Sequence, residues 1–296
     1  MPLRRVTFSG RLGAFNEGED KRKIFVKGVV FMCLDISITL AISIATFYLF
    51  VKKAVAPYEN DFPCSDESIQ KTFKPNTIGL KHLLFVSLGS PFFLISAVEG
   101  LLFFKAQGTN RLAKYFTSTT LTYLKYLLAY ALCTFTMEFL KCWFGRLRPH
   151  FVAVCQPDWT KMDCSTDPSA IIPASDIVCL NSDFHRVRTA RTSFPSGHTA
   201  AAVFVWLFYT FYLIRMSRIS NVELVTKMRN IILPAITAWT LLTGITRVTD
   251  NWHHPTDVLG GIILALVCFV PLYWKTWVNA SSVYQRREIF EAKKSE

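Results

Sequence analysis

The chain has 296 residues, 51% of them hydrophobic and 14% aromatic, with a mean hydropathy of +0.29. That apolar content excludes a disordered or fibrous protein and is too high for an ordinary soluble domain of this length. The 33 Lys and Arg against 21 Asp and Glu leave a net charge of +12; in a membrane protein such an excess follows from basic loops facing anionic headgroups, so no nucleic-acid partner is called for.

Six stretches are long and apolar enough to cross a bilayer: residues 28–50, 83–104, 117–140, 199–215, 229–246 and 257–277. The fourth and fifth are the shortest. Residues 1–27 are polar and charged, and the apolar run after them is too long for a signal-peptide core and lacks a small-residue cleavage site, so the first helix is expected to be its own anchor. Basic flanks at Arg4, Arg5, Arg11, Lys21, Arg22, Lys23 and Lys27, and again at Arg286, Arg287, Lys293 and Lys294, place both ends in the cytoplasm. The loops agree, with Lys105, Arg111 and Lys114 after the second helix and Arg215, Arg218, Lys227 and Arg229 after the fourth. Tyr273, Trp274 and Trp277 would then mark the cytoplasmic interface of the last helix. The expected fold is all-α: a polytopic six-transmembrane-helix bundle forming one domain over 28–277, with cytoplasmic tails at 1–27 and 278–296.

Segments 53–82, 141–197 and 247–256 fall on the outer side, and two of them carry unexpected positive charge: Lys141, Arg146, Arg148, Arg186, Arg188, Arg191 and Arg247. For Lys141, Arg148 and Arg247, set against helix ends, a bound anion is the better explanation. Cys64, Cys155, Cys164 and Cys179 also lie on this side, where disulfides are expected, with three pairings open. Cys33, Cys133, Cys142 and Cys268 read as small apolar packing residues.

Three motifs stand at helix ends: Lys141 with Arg148-Pro149 after the third helix, Pro195-Ser196-Gly197-His198 opening the fourth, and Arg247, His253 and Asp257 between the fifth and sixth. The topology, derived without them, puts all three on one face of the membrane. Together they are what a metal-free phosphoryl-transfer site needs. Arg148 and Arg247 offer forks of donors matched to phosphate oxygens, and Lys141 adds a compact charge. Ser196 suits a helix N-cap, so that the free N–H groups of Gly197 and His198 point at an oxygen, and glycine permits close approach. A neutral imidazole is a competent nucleophile when a neighbour fixes its tautomer, which suits His253 with Asp257 one helical turn away. His198 is left as general acid and then general base. A divalent metal would be repelled by three cations, and the spacing matches no zinc site, so neither metal nor cofactor is expected.

Other polar residues have blander readings. His150, His185 and His254 are expected to be satisfied interface residues, and Arg146 a solvated or headgroup-facing charge, with assistance to substrate binding as the alternative. For Arg186, Arg188 and Arg191 simple solvation is favoured over lining the entrance to the site. Asp35, Glu99 and Lys125, inside predicted helices, are expected to meet as a packing cluster.

With these motifs, and with CSDESI, FGRLRPHF, CQPDW and HHPTDV around them, the sequence resembles the integral-membrane lipid phosphate phosphatases, also called type 2 phosphatidate phosphatases or phospholipid phosphatases. The resemblance implies a core of the acid phosphatase and vanadium haloperoxidase type. It implies phosphate binding by Lys141, Arg148, Ser196, Gly197 and Arg247, with His198 as acid and base, His253 as nucleophile and Asp257 as its partner. It further implies Mg-independent dephosphorylation of phosphatidate, lysophosphatidate, sphingosine 1-phosphate and ceramide 1-phosphate at a site facing outside or lumen. The implied partners are a phosphorylated lipid and the bilayer, with a homo-oligomer left open. Thr246 stands where the family has serine, and Asn279-Ala280-Ser281 is a sequon on the expected cytoplasmic side. The terminal Lys293-Lys294-Ser295-Glu296 resembles a dilysine retrieval signal, leaving endoplasmic reticulum and plasma membrane both open. A transferase on the same scaffold and a non-catalytic lipid-phosphate binder or transporter are the competing functions.

Overall fold

A computed structural model describes residues 21–52, 54–105, 111–161, 164, 169–220 and 222–273. Among these are six helices long and apolar enough to cross a membrane: Met32–Val51, Leu80–Phe104, Tyr115–Phe144, Gly197–Ser220, Glu223–Thr249 and Pro255–Tyr273, here called the first to sixth spans. The protein is therefore an all-α integral membrane bundle, and the only sheet among the described residues is a two-residue pair, Phe62–Pro63 against Ile171–Ile172. The fourth and fifth spans, shortest by apolarity, are 24 and 27 residues long. Helical hydrogen bonding continues past the apolar stretch into polar turns, so hydropathy alone underestimates them. The third is longer still, since its helix runs from Arg111 to Phe144. The expected tails with Arg4, Arg5 and Arg11, the sequon at Asn279, Lys293 and Lys294, together with Trp274 and Trp277, lie outside the described residues.

Burial ranks the spans. In the fourth, 67% of its most apolar window is buried, against 17% in the first, so the fourth is the axis and the first lies on the rim. Lipid tails are as apolar as leucine, so helix association depends on packing and on internally satisfied polar groups. Aromatic rings fill the interior: Tyr126 lies 4.6 Å from Phe208, and Phe269 stacks on Tyr273 at 4.3 Å. Their polar tips are bonded across helices, Tyr126 Oη donating to the Ser87 carbonyl and Tyr209 Oη to Ser90 Oγ, each at 2.6 Å. Trp206 Nε1 donates to Thr237 Oγ1 at 2.8 Å. Asp35 and Glu99 are buried and Lys125 half-buried, and none of the three is without a partner.

The segments before the second span, between the third and fourth, and between the fifth and sixth form a cap at one end of the bundle. Main-chain bonds stitch them together: Tyr58 N to Cys142 O, Lys71 N to Pro149 O, Arg148 N to Ala190 O and Ser196 N to Asp257 O. The cap has its own apolar core of Phe62, Ile69, Leu147, Phe151, Val154 and Ile172. Disulfides Cys64–Cys164 and Cys155–Cys179, with Cα separations of 5.7 and 4.7 Å, complete it, one of the three pairings left open by the sequence. A small covered core of this kind gains from covalent ties.

Two contacts fix how the cap meets the helices. Gly145 has φ +56 at the end of the third span, and any Cβ there would run into the main chain of Tyr58. Gly261, in the sixth span, lets that helix touch the start of the fourth, where a Cβ would lie 2.6 Å from the Ser196 carbonyl and 3.1 Å from Ala200 N. Alanine at 261 gains about 1 kcal/mol in helix propensity, but forcing apart two main chains costs about 1–3 kcal/mol. Gly261→Ala is therefore expected to lower the melting temperature in detergent and to displace Ser196; a melting temperature equal to or above that of the parent would refute this packing.

Candidate active site

All three motifs meet where the cap joins the bundle. Lys141 ends the third span and is paired with Glu138 at 2.9 Å. It stands against the start of the fourth span: a Cβ on Gly197 would sit 3.0 Å from Lys141 Nζ and 3.0 Å from Met137 Sδ. Glycine here lets the start of the fourth span lie close against the Lys141 and Met137 side chains. Ser196 is fully buried and caps the helix, Thr199 N donating to its Oγ at 3.4 Å, while Ala200 N donates the first main-chain bond to its carbonyl. The N–H groups of Gly197 and His198 precede that bond and face the end of the helix.

His253 is brought to the same place by the turn that ends the fifth span. The Arg247 carbonyl accepts from both Trp252 N and His253 N at 3.0 Å, and Asn251 takes the left-handed conformation with φ 61. Asparagine tolerates that conformation better than most residues. The six-residue step from Arg247 to His253 is thereby folded into one compact corner. His198 lies within electrostatic reach of Arg247, Lys141, His253 and Arg148, which places the cations and both imidazoles near one another.

The cations are buried rather than solvated. Arg148 donates through Nη2 to the Thr192 carbonyl at 3.2 Å and lies over the Trp252 ring at 5.0 Å. Burial lowers its pKa to about 10, partly offset by Asp257 and Glu138, so it stays charged at neutral pH. Arg247 is wholly buried; its Nη1 donates to Asn76 Oδ1 at 2.6 Å, its Nη2 to the Ile78 carbonyl at 3.4 Å, and Asp250 Oδ2 is 3.6 Å away. Nε of Arg148, Nε of Arg247 and Nε2 of His198 are buried without a partner among the described residues. Buried donors in that state cost about 1–3 kcal/mol each, and an anion bound among them would remove the cost.

His253 Nδ1 lies 2.7 Å from the Ser193 carbonyl. A carbonyl only accepts, so the proton is on Nδ1 and the lone pair on Nε2. The expected direct bond from Asp257 is not made: its Oδ2 is 3.7 Å from Nδ1, a charge contact beyond hydrogen-bond reach. One helical turn is the right spacing, but Asp257 Oδ2 is already taken by Ser193 Oγ at 2.6 Å, by His254 N at 2.8 Å and by His254 Nδ1 at 3.2 Å. Burial pushes the His253 pKa down to about 3, reinforced by Arg148 and opposed by Asp257.

Several blander expectations need correction. Arg146 is not a solvated charge, since its Nη1 binds Asp257 Oδ1 and Thr256 Oγ1, each at 2.7 Å. Two-residue spacing from Arg148 gave no sign of this, because the partner lies 111 residues further along. Arg188 donates to the Val55 carbonyl at 2.8 Å and Arg191 is buried over the Phe151 ring at 5.0 Å, both holding the cap together. Arg186 pairs with Asp183 at 3.3 Å on the surface. His150 is the satisfied residue expected, with Nδ1 2.7 Å from the Asn251 carbonyl; burial, helped by Arg148, lowers its pKa to about 4. Ser193, Asn76 and Trp252 carried no chemical signal in the sequence and reach the pocket only through the fold.

Cationic donors around an unprotonated imidazole nitrogen, at one end of a six-span bundle, suit chemistry on an anionic group such as a phosphate. Residues 122–281 match the PAP2 superfamily, and the chain belongs to it. It is similar to phospholipid phosphatase 2 of Bos taurus, 31% identical over 247 residues covering 79% of this chain and 78% of the relative. Phospholipid phosphatase 2 of Homo sapiens is 29% identical over 83% of this chain and 84% of its own. Phospholipid phosphatase 1 of Mus musculus is 28% identical over 78% and 81%. No solved structure matches the chain.

The lowered pKa of His253 has a consequence for stability. In the unfolded chain the ring has a pKa near 6.5, so between about pH 3 and 6.5 the unfolded state binds the extra proton and acid favours unfolding. The melting temperature should hold steady above neutrality and fall from pH 7 to pH 5. His253→Gln, which cannot titrate, should show a shallower fall, with His150 responsible for part of the remainder. Identical slopes in parent and variant would count against a neutral His253.

Proposed function

We propose that the protein removes phosphate from lipid phosphomonoesters, namely phosphatidate, lysophosphatidate, sphingosine 1-phosphate or ceramide 1-phosphate, without a metal and through a phosphohistidine intermediate. The observation that carries this reading is the Nδ1 proton of His253 held by the Ser193 carbonyl, which leaves Nε2 with a lone pair beside buried cations. The relatives' names, phospholipid phosphatase 1 and 2, agree with it.

Lys141, Arg148 and Arg247, with the N–H groups of Gly197 and His198, hold the phosphate oxygens. Nε2 of His253 attacks phosphorus, the bond to the lipid oxygen breaks, and His198 gives that oxygen its proton. Water then enters, His198 takes its proton, and the resulting hydroxyl displaces phosphate from the ring nitrogen. Each cation is already in place before reaction, so charge on the transferring group is stabilised without reorganisation. The Asp257 carboxylate, 3.7 Å from Nδ1, balances the positive charge that develops on the phosphorylated ring.

The pocket faces the exterior or a lumen in this proposal. Two disulfides at the same end as the pocket favour an oxidising compartment, and the basic flanks favour cytoplasmic tails. The plasma membrane with the site outward is the first choice, with the endoplasmic reticulum as alternative because of Lys293 and Lys294.

Purified protein in detergent, given phosphatidate and excess EDTA, should release inorganic phosphate to water. His253→Ala and His198→Ala should each lose about 100- to 10,000-fold in rate. Dependence on added metal, or an active His253→Ala protein, would sink the phosphohistidine reading; transfer only to an added alcohol would point to a transferase.

A further inference from the structure

Arg146 has no part in the chemistry above, yet it makes a 2.7 Å ion pair to a carboxylate with no exposed surface. The pair has two different surroundings. Asp257 is enclosed behind the nucleophile, whereas the Arg146 side chain is 40% exposed and reaches the wall of a surface cleft of about 450 Å³ that it shares with His254, Phe144, Leu147 and Phe194.

Three bonds close a loop around this residue. Arg146 Nη1 holds Asp257 Oδ1, Asp257 Oδ2 accepts from Ser193 Oγ at 2.6 Å, and Ser193 N donates back to the Arg146 carbonyl at 2.8 Å. Ser193 in turn offers the carbonyl that takes the Nδ1 proton of His253. Resting on the reading of His253 as nucleophile, we propose that Arg146 is a positioning residue: it acts on the imidazole through Asp257 and Ser193 and makes no contact with the phosphate. Without it, Asp257 Oδ1 is a buried carboxylate oxygen stripped of its ionic partner, which is strongly unfavourable. The carboxylate can then turn toward His253 Nδ1, now 3.7 Å away, drawing the ring off the Ser193 carbonyl and moving Nε2 from its line of attack.

Ångström-scale misplacement of a reacting group costs on the order of 100-fold. Arg146→Ala, assayed on phosphatidate in detergent, should therefore lose about that much in kcat with KM little changed. Because the cleft is open, guanidinium ion added at a non-denaturing concentration should restore part of the rate, and an equal concentration of sodium chloride should not. Arg146→Lys, whose ammonium keeps the charge but not the fork, should lose less than the alanine variant. A raised KM with kcat intact would assign Arg146 to the lipid headgroup, and absence of guanidinium rescue would leave it a structural contact; either result overturns the proposal. If Arg146→Ala does not accumulate folded, Arg146→Lys decides alone: a lower kcat at unchanged KM and melting temperature supports positioning, and unchanged kcat refutes it. Wild type and His253→Ala run alongside: an inactive wild type or an active His253→Ala protein faults the nucleophile reading itself, independently of Arg146.

Discussion

The carboxylate of Asp257 is a negative charge with no access to solvent, standing at the mouth of the sixth span. Burying such a charge costs several kcal/mol unless every lone pair is engaged. The chain meets that requirement with partners from three segments: Arg146 from the end of the third span, Ser193 from the loop before the fourth, and His254 from the turn before the sixth. Its main-chain carbonyl also accepts from Ser196 N at 2.9 Å. Remove the carboxylate and these segments lose their common anchor, and with it the setting of Ser193, whose carbonyl meets His253.

A second constraint runs opposite in sign. Lys141, Arg148 and Arg247 are crowded into a partly dry pocket where mutual repulsion is strong. Each is held by a neutral or acidic neighbour rather than by solvent: Glu138 for Lys141, the Thr192 carbonyl and the Trp252 ring for Arg148, Asn76 and Asp250 for Arg247. These contacts compensate incompletely, since Arg148 Nε and Arg247 Nε are left without partners among the described residues. The positive potential left over is the basis on which a multiply charged anion is proposed to bind there.

Bundle and cap divide the work. The bundle packs aromatic rings around the fourth span and brings three helix ends to the cap. The cap, with its disulfides and its own apolar core, presses Asn76 onto Arg247 and the Thr72 and Lys74 carbonyls onto Asn251 and Trp252. The turn carrying His253 is therefore clamped from the outside as well as from below.

Six spans and the helix-end motifs that carry Lys141, Arg148 and Arg247 and the histidines His198 and His253 were legible in the sequence. Hydropathy over a bilayer's thickness and short motifs at helix ends are local signals, and local chemistry sets them. The partners of Arg146 and Arg188, the burial of Arg191, the disulfide pairing, and the choice of the Ser193 carbonyl over Asp257 as acceptor for His253 were decided by the tertiary structure alone. Each of these depends on a partner far along the chain or on competition for a single oxygen atom. Such competition is settled by ångström distances in three dimensions, which residue spacing does not encode.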